Sequence, residues 1–359
     1  MNASALKDLL AGMAVCVLVG CGSGWDGPAL APPSEPSLTV QDLLQVQGRI
    51  DVAHPGRGVT DYPGNTVEDV PKSYAMVLLA ELQRKRHRGT DGFRNLEAAA
   101  GQWLLDHADE NRDGVVGWGV PVAWDAYGDN SINPAHTEYS ISTGIAIDAL
   151  LSWREVVAGP KAAEILAVVE RAAAPYVSPQ AWSPAGMLPY SLRESDRRYD
   201  TFNSAVYLAG QLQRLAQLTS DAALADKLRA TADSTVAALL RNKRTSPETG
   251  AWYWHYSIQE ATANDLPHAA YIAVGLADYV RHRGHLGGQV QLGAVFKHLQ
   301  EFLPEPPRAN GAPRPFIRAW PRFKKEITRE ARSYDLGMAL HLACTEESLK
   351  PMRRALFDA

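Results

Sequence analysis

The chain has 359 residues and a formal net charge of −4, with 46% hydrophobic and 21% charged residues. Those proportions suit a globular protein, and the acidic balance gives no footprint for nucleic acid. Three cysteines are too few for a disulfide framework or a cysteine-rich zinc site, so stability must come from a large core.

In chain order, the first feature is an apolar run of twelve residues at 9–20 (LLAGMAVCVLVG). It is too short to span a bilayer and suits the hydrophobic region of a secretory signal, although Lys7 is its only basic flank. The run ends in Leu18-Val19-Gly20-Cys21, which resembles the lipobox of bacterial lipoproteins. That resemblance implies cleavage before Cys21 and lipidation of Cys21; a plain secretory signal is the alternative. Gly22 follows the cysteine, and by the same resemblance this favours the outer membrane, on its periplasmic side or at the cell surface. The Gly-, Pro- and Ser-rich stretch that follows reads as a flexible tether. The expected organisation is a signal at 1–20, a tether at 21–38 and one domain at 39–359, a monomer of about 320 residues. Cys16 leaves with the signal and Cys21 carries lipid, so Cys344 is expected to stand alone as a packing residue in an apolar helix.

The domain repeats. Five segments rich in small and apolar residues read as buried helices: Tyr74–Leu82, Gly144–Leu151, Ala205–Leu212, Ala270–Leu276 and Tyr334–Leu342. Gly144, Gly210, Gly275 and Gly337 recur in them at spacings of 66, 65 and 62. Glycine inside a helix costs about 1 kcal/mol relative to alanine, so its recurrence predicts close helix approach. A second, more polar set follows: Asp91–Ala108, Lys161–Ala174, Asp221–Arg241 and Gln289–Leu303. Apolar residues at three- and four-residue spacing in this set predict burial of one face. Inner helices ringed by outer ones describe an all-α chain, an α/α toroid of about five hairpins, with six as the alternative.

The Asp109-Glu110-Asn111-Arg112-Asp113-Gly114 stretch matches the first half of a calcium loop. Val120 stands where the last acidic ligand belongs, so a structural Ca²⁺ on Asp109, Asn111 and Asp113 would need a distant carboxylate. The alternative is an Asx-rich turn. No other cofactor is required.

Aromatic residues keep the register of the repeat: Tyr62, Trp124, Tyr190, Trp254 and Trp320 are spaced 62, 66, 64 and 66 apart. Each sits in a loop before an inner helix, so the set is expected at one end of the ring. There the rings either wedge hairpins together or line a cleft that stacks on sugar rings. The same end gathers polar residues. Asn133, Thr201 and Asn264 suit helix caps. His136, Glu138, Tyr199, Asn203, His268, Arg332 and Tyr334 lie where caps do not explain them, and are expected to face an axial cavity.

The repeat, the aromatic rim and the phrases Tyr199-Asp200-Thr201-Phe202-Asn203 and Asn264-Asp265-Leu266-Pro267-His268-Ala269-Ala270-Tyr271 together resemble the helical toroid domains of carbohydrate-active proteins. The nearest resemblance is to the C-terminal domain of D-glucuronyl C5-epimerases, and a more distant one is to toroid polysaccharide lyases. It implies a polysaccharide or oligosaccharide partner and removal of the C5 proton of a uronic acid. On that reading Tyr199 or His268 is base or acid, and Asn203 and Arg332 neutralise the carboxylate. Trp124, His136, Glu138, Tyr139, Tyr190, Trp254, Asn264, Asp265, Trp320 and Tyr334 contact substrate. Two other classes stay open: a glycoside hydrolase using two carboxylates among Glu138, Asp200, Asp265, Glu330 and Asp335, and a lipoprotein that binds glycan without turnover.

Overall fold

The computed structural model describes residues 50–60, 62, 64–88, 95–303, 317–325, 329–331 and 333–358. Cys21, the signal, the tether and Arg332 therefore lie outside the described residues, as do the side chain of Tyr334 and the start of the helix expected from Asp91. Ten helices form five consecutive hairpins. The inner members are α1 (Pro71–Arg88), α3 (Ser140–Arg154), α5 (Phe202–Leu215), α7 (Leu266–Arg281) and α9 (Ser333–Thr345). The outer members are α2 (Leu96–Asp106), α4 (Pro160–Ala173), α6 (Ala222–Arg241), α8 (Leu292–Leu299) and α10 (Lys350–Asp358). Two antiparallel two-stranded ribbons complete the described elements: β1 (Arg57–Val59) with β2 (Val67–Asp69), and β3 (Arg244–Thr245) with β4 (Trp252–Tyr253). Each outer helix carries the chain back, so all five inner helices run parallel, with their N-termini at one end of the ring. The architecture is an α/α toroid.

Burial divides the two sets as their composition requires. Every residue of α5 is buried, whereas α4 and α6 bury one face. The polar groups of α5 are satisfied inside the ring. The Arg214 guanidinium pairs with Asp148 at 3.0 Å and Glu155 at 2.6 Å, Tyr207 Oη donates to Asp148 at 2.8 Å, and Gln211 Nε2 donates to Asp278 at 2.7 Å. These bonds make ionic groups tolerable in a core that would otherwise expel them.

The phased glycines have unequal roles. A Cβ on Gly210 would meet the Gly275 carbonyl oxygen at 2.5 Å, and one on Gly275 would overlap the Val206 carbonyl. Backbone therefore lies on backbone where α5 crosses α7. Gly337 differs: the nearest atom to a Cβ there is Met76 Cε at 4.0 Å, because α9 meets α1 more loosely than α5 meets α7.

Three local expectations are corrected. The α3 helix starts at Ser140 rather than at Asn133-Pro134, and His136 precedes it with φ of 62°. The cap of α7 is Asp265, whose carboxylate accepts from His268 N at 3.3 Å, and not Asn264. Cys344 does not stand alone: it is half-buried and disulfide-bonded.

Gly275→Ala is expected to cost about 3 kcal/mol, since the added methyl meets main chain that cannot step aside. Gly337→Ala is expected to be neutral or to stabilise by up to about 1 kcal/mol through helix propensity alone. Urea denaturation of the two variants checks the contrast.

Candidate functional site at the N-terminal rim

The rim is assembled by one repeated backbone contact. Ser140 N donates to Tyr190 O at 2.9 Å, Phe202 N to Tyr256 O at 3.1 Å, and Leu266 N to Ala319 O at 2.9 Å. In each case the loop of the following repeat lies across the start of the preceding inner helix and takes up an amide the helix leaves unpaired. At α3 and α5 no side-chain cap bond accompanies it, whereas α7 keeps the Asp265 cap. Thr201 is the N-cap of α5 but makes no cap bond, and its hydroxyl pairs with Tyr127 Oη at 2.8 Å.

This interlock places aromatic rings side by side. Trp124 packs against Tyr62 at 5.1 Å between centroids, Tyr139 at 5.9 Å and Tyr190 at 6.2 Å. Tyr190 touches Tyr127 and Tyr139, both at 5.3 Å, and Tyr127 stacks on Tyr199 at 3.4 Å. Tyr256 lies close enough to Tyr190 to affect its titration, and meets the His268 ring edge-on at 5.0 Å. Beyond His268 come Tyr271 at 6.0 Å and Lys72 Nζ, 5.0 Å from the centre of the Tyr271 ring. The patch runs from the β1–β2 loop to the starts of α1 and α7.

His268 is oriented by its own helix start. Its Nδ1 bonds to Asp265 Oδ1, the carboxylate that also caps α7. Asp265 as acceptor sets Nδ1 as the protonated nitrogen, leaving the Nε2 lone pair outward on a half-buried residue. Asn203, in the first turn of α5, is 2% exposed, and its Nδ2 is buried without a hydrogen-bond partner. Such an amide is a donor awaiting an acceptor.

The phenols share one electrostatic condition. Burial pushes the Tyr127, Tyr139, Tyr190 and Tyr256 hydroxyls above the usual tyrosine range, with neighbouring tyrosines adding to the shift at Tyr190. Tyr199 is raised by a different cause, the hydrogen bond its hydroxyl donates to Asp129. All are therefore proton donors at neutral pH.

Other residues singled out by the sequence lie elsewhere. Trp254 is buried in the wall and its Nε1 donates to Leu239 O at 2.8 Å, matching Trp118 with Leu104 O at 3.0 Å. Both indoles wedge a hairpin. Trp320 sits by the start of α7 beneath Arg329, apart from the tyrosine patch. Asn264 turns into the wall beside Trp252 and His298. Glu138 is buried behind α3, where it accepts from Asn111 Nδ2 at 2.7 Å, and burial raises its carboxyl, with Asp113 and Asp109 nearby. In the 109–114 turn the side chains serve the backbone: Asp109 accepts from Gly114 N at 3.2 Å and Asp113 from Val115 N at 2.8 Å. Asn111 presents its amide nitrogen to both Asp113 and Glu138. Among the described residues no three His, Cys, Asp or Glu side chains are grouped to hold a metal ion, and Glu138 is the carboxylate that Asn111 ties to this turn.

Three contributors escape a sequence reading. Asp129 holds Tyr199 and Arg198. Asp196, fully buried, accepts from Asn133 Nδ2 at 2.7 Å and Ser191 Oγ at 2.6 Å, tying the Trp124 loop to the Tyr190 loop. Lys72 lies in the first turn of α1. The two aspartates resemble ordinary turn residues in sequence, and Lys72 an ordinary surface lysine.

A raised phenol pKa means the folded state favours the neutral form, so this contribution to stability is whole below about pH 10 and is lost as pH rises. Tyrosinate absorbance is expected to show the rim phenols ionising only together with loss of the helical circular dichroism signal, and not before it.

No protein-family pattern and no curated protein matches the chain. Solved structures do. A polysaccharide lyase is 9% identical, with 96% of this chain and 90% of the lyase covered and a TM-score of 0.54. A reducing-end-xylose releasing exo-oligoxylanase complexed with xylose is 12% identical, with 98% and 82% covered and a TM-score of 0.45. A mutant of Rex8A from Paenibacillus barcinonensis, complexed with an arabinofuranosyl-xylotetraose, is 12% identical, with 95% and 81% covered and a TM-score of 0.45. At these identities the likeness is one of fold, the α/α toroid.

Proposed function

We propose that the chain is a carbohydrate-active enzyme that abstracts the C5 proton of a uronic acid within a polysaccharide, by elimination. The observation that carries the reading is the outward Nε2 of His268, set by Asp265 and standing beside the protonated phenol of Tyr256 at a half-open aromatic rim. A base and an acid adjacent to flat ring faces are what elimination from a sugar requires. The fold shared with a polysaccharide lyase supports it.

The C5 proton is acidic only because it lies α to a carboxylate. On this reading the Asn203 amide, whose Nδ2 lacks a partner, and the Lys72 ammonium bind that carboxylate, and parallel inner-helix N-termini add positive potential at the same end. His268 Nε2 takes the proton, and the electron pair builds up on the carboxylate as an enolate-like charge. That charge then forms the C4–C5 double bond as the C4–O bond breaks, and Tyr256 delivers its proton to the departing sugar oxygen. Tyr199 is kept from the base role by Asp129, and instead presents a flat face with Tyr127.

The hydrolase alternative needs two carboxylates free to flank a glycosidic bond. Of the five candidates, Glu138 is engaged by Asn111, Asp200 by Ser183 and Gln259, and Asp265 by His268, which leaves Glu330 and Asp335, neither of them in the tyrosine patch described above. The elimination reading is therefore preferred.

His268→Ala is expected to lower kcat by about 10²- to 10⁴-fold and Asn203→Ala by about 10²- to 10³-fold. Trp254→Ala is expected to lower stability by about 3–5 kcal/mol while leaving KM for uronate chains in place. The assay follows ultraviolet absorbance of an unsaturated uronate and deuterium uptake at C5. Absorbance is the expected result; deuterium uptake without it means epimerisation, and new reducing ends without either overturn the proposal.

We further propose that the mature protein is a lipid-anchored envelope protein modified at Cys21. The support is the Leu18-Val19-Gly20-Cys21 sequence at the end of the twelve-residue apolar run. Mass spectrometry of the mature protein is expected to show diacylglycerol on an N-terminal Cys21; an unmodified Cys21, or a mature chain that begins elsewhere, overturns the anchor.

A further inference from the structure

At the end opposite the rim, where the five inner helices finish, the ring holds a cavity of about 440 Å³. This is within the size range of small-molecule sites. None of its lining belongs to the aromatic rim. The lining mixes apolar side chains, among them Leu79 of α1, Val274 of α7 and Leu342 of α9, with polar ones. The polar part is internally braced: Asp148 pairs with Arg214, and Asp278 with Arg281 and Gln211.

Two histidines in the lining are not part of that bracing. His341 is 9% exposed, and its imidazole makes no hydrogen bond among the described residues. His282 lends its backbone carbonyl to Gln213 Nε2 at 2.9 Å, while its ring lines the cavity. Burial lowers the pKa of both, His282 to about 4, so each ring is neutral and offers one donor and one acceptor. Their ring nitrogens are left to whatever fills the cavity, which can supply the matching hydrogen bonds.

The charge of the cavity selects its occupant. Arg86, Arg214 and Arg281 are balanced by Asp148, Glu155 and Asp278. The inner helices present their C-terminal carbonyls and the negative ends of their dipoles here, so an anion gains nothing at this end. Neutral imidazoles, carbonyls, braced carboxylates and the apolar side chains among them instead suit the hydroxyl and C–H groups of a neutral sugar. We propose that this cavity is a second binding site, for a neutral, hydroxyl-rich ligand of one or two sugar rings. The proposal is independent of the chemistry assigned to the rim.

The test is calorimetric titration of the full chain with glucose, xylose, cellobiose and maltose as probes, and with glucuronate as the charged comparator. Saturable binding of a neutral sugar is expected in the wild type and equally in His268→Ala. It is expected to weaken at least tenfold in His341→Leu, and also in Arg281→Met, which alters the more exposed mouth and serves if the buried variant fails to fold. Absence of saturation by every neutral probe overturns the site. So does preferential binding of glucuronate, or loss of binding in His268→Ala with retention in both cavity variants. Lyase activity is measured separately, so failure here and failure of the rim chemistry are distinguishable.

Discussion

The rim depends on a backbone amide at the start of each of three inner helices being taken up by a carbonyl from the next repeat. Ser140 meets Tyr190, Phe202 meets Tyr256, and Leu266 meets Ala319. A helix start buried in a ring leaves donors unsatisfied, and the chain meets that cost with main chain at all three starts, joined at α7 by the Asp265 side chain. The consequence for chemistry is direct. Thr201 keeps its hydroxyl for Tyr127, and Tyr190 and Tyr256 are delivered to the rim by the same contacts. The aromatic patch is a by-product of how adjacent hairpins register.

Beneath the rim, close backbone contact and buried ion pairs divide the work. The Gly210–Gly275 crossing brings α5 and α7 together without side chains between them. Further along, Arg214 of α5, Asp148 of α3 and Asp278 of α7 fill the wider space with charge that is paired or hydrogen-bonded. The ring thus narrows toward small residues in the middle and opens at both ends, toward phenols at one and toward guanidinium and carboxylate groups at the other.

Much of the frame was legible because it is periodic. Glycines at intervals of 66, 65 and 62 mark the inner helices, and one-sided apolar spacing marks the outer ones. Periodicity does not report side-chain direction. Trp124 and Trp254 occupy equivalent places in the register, yet one packs among rim tyrosines and the other donates its indole proton into the hairpin wall. Nor does it reveal which caps are needed: Asn133 and Asn264 look like helix starts, but the interlock leaves the first to bind Asp196 and the second to face the wall. Asp129 and Asp196 were invisible for a related reason. Their roles arise from partners 70 and 63 residues away, Tyr199 and Asn133.

The interlock also has a direction: each hairpin finishes the one made before it. A chain made N-terminus first cannot complete these repeats in order of synthesis, because every inner helix so tied awaits a loop not yet delivered. Leu266 gains its acceptor only when Ala319 has arrived, more than fifty residues later. Closure of the ring is thus tied to delivery of the C-terminal end, and a chain halted partway exposes a polar helix start where its rim ought to be.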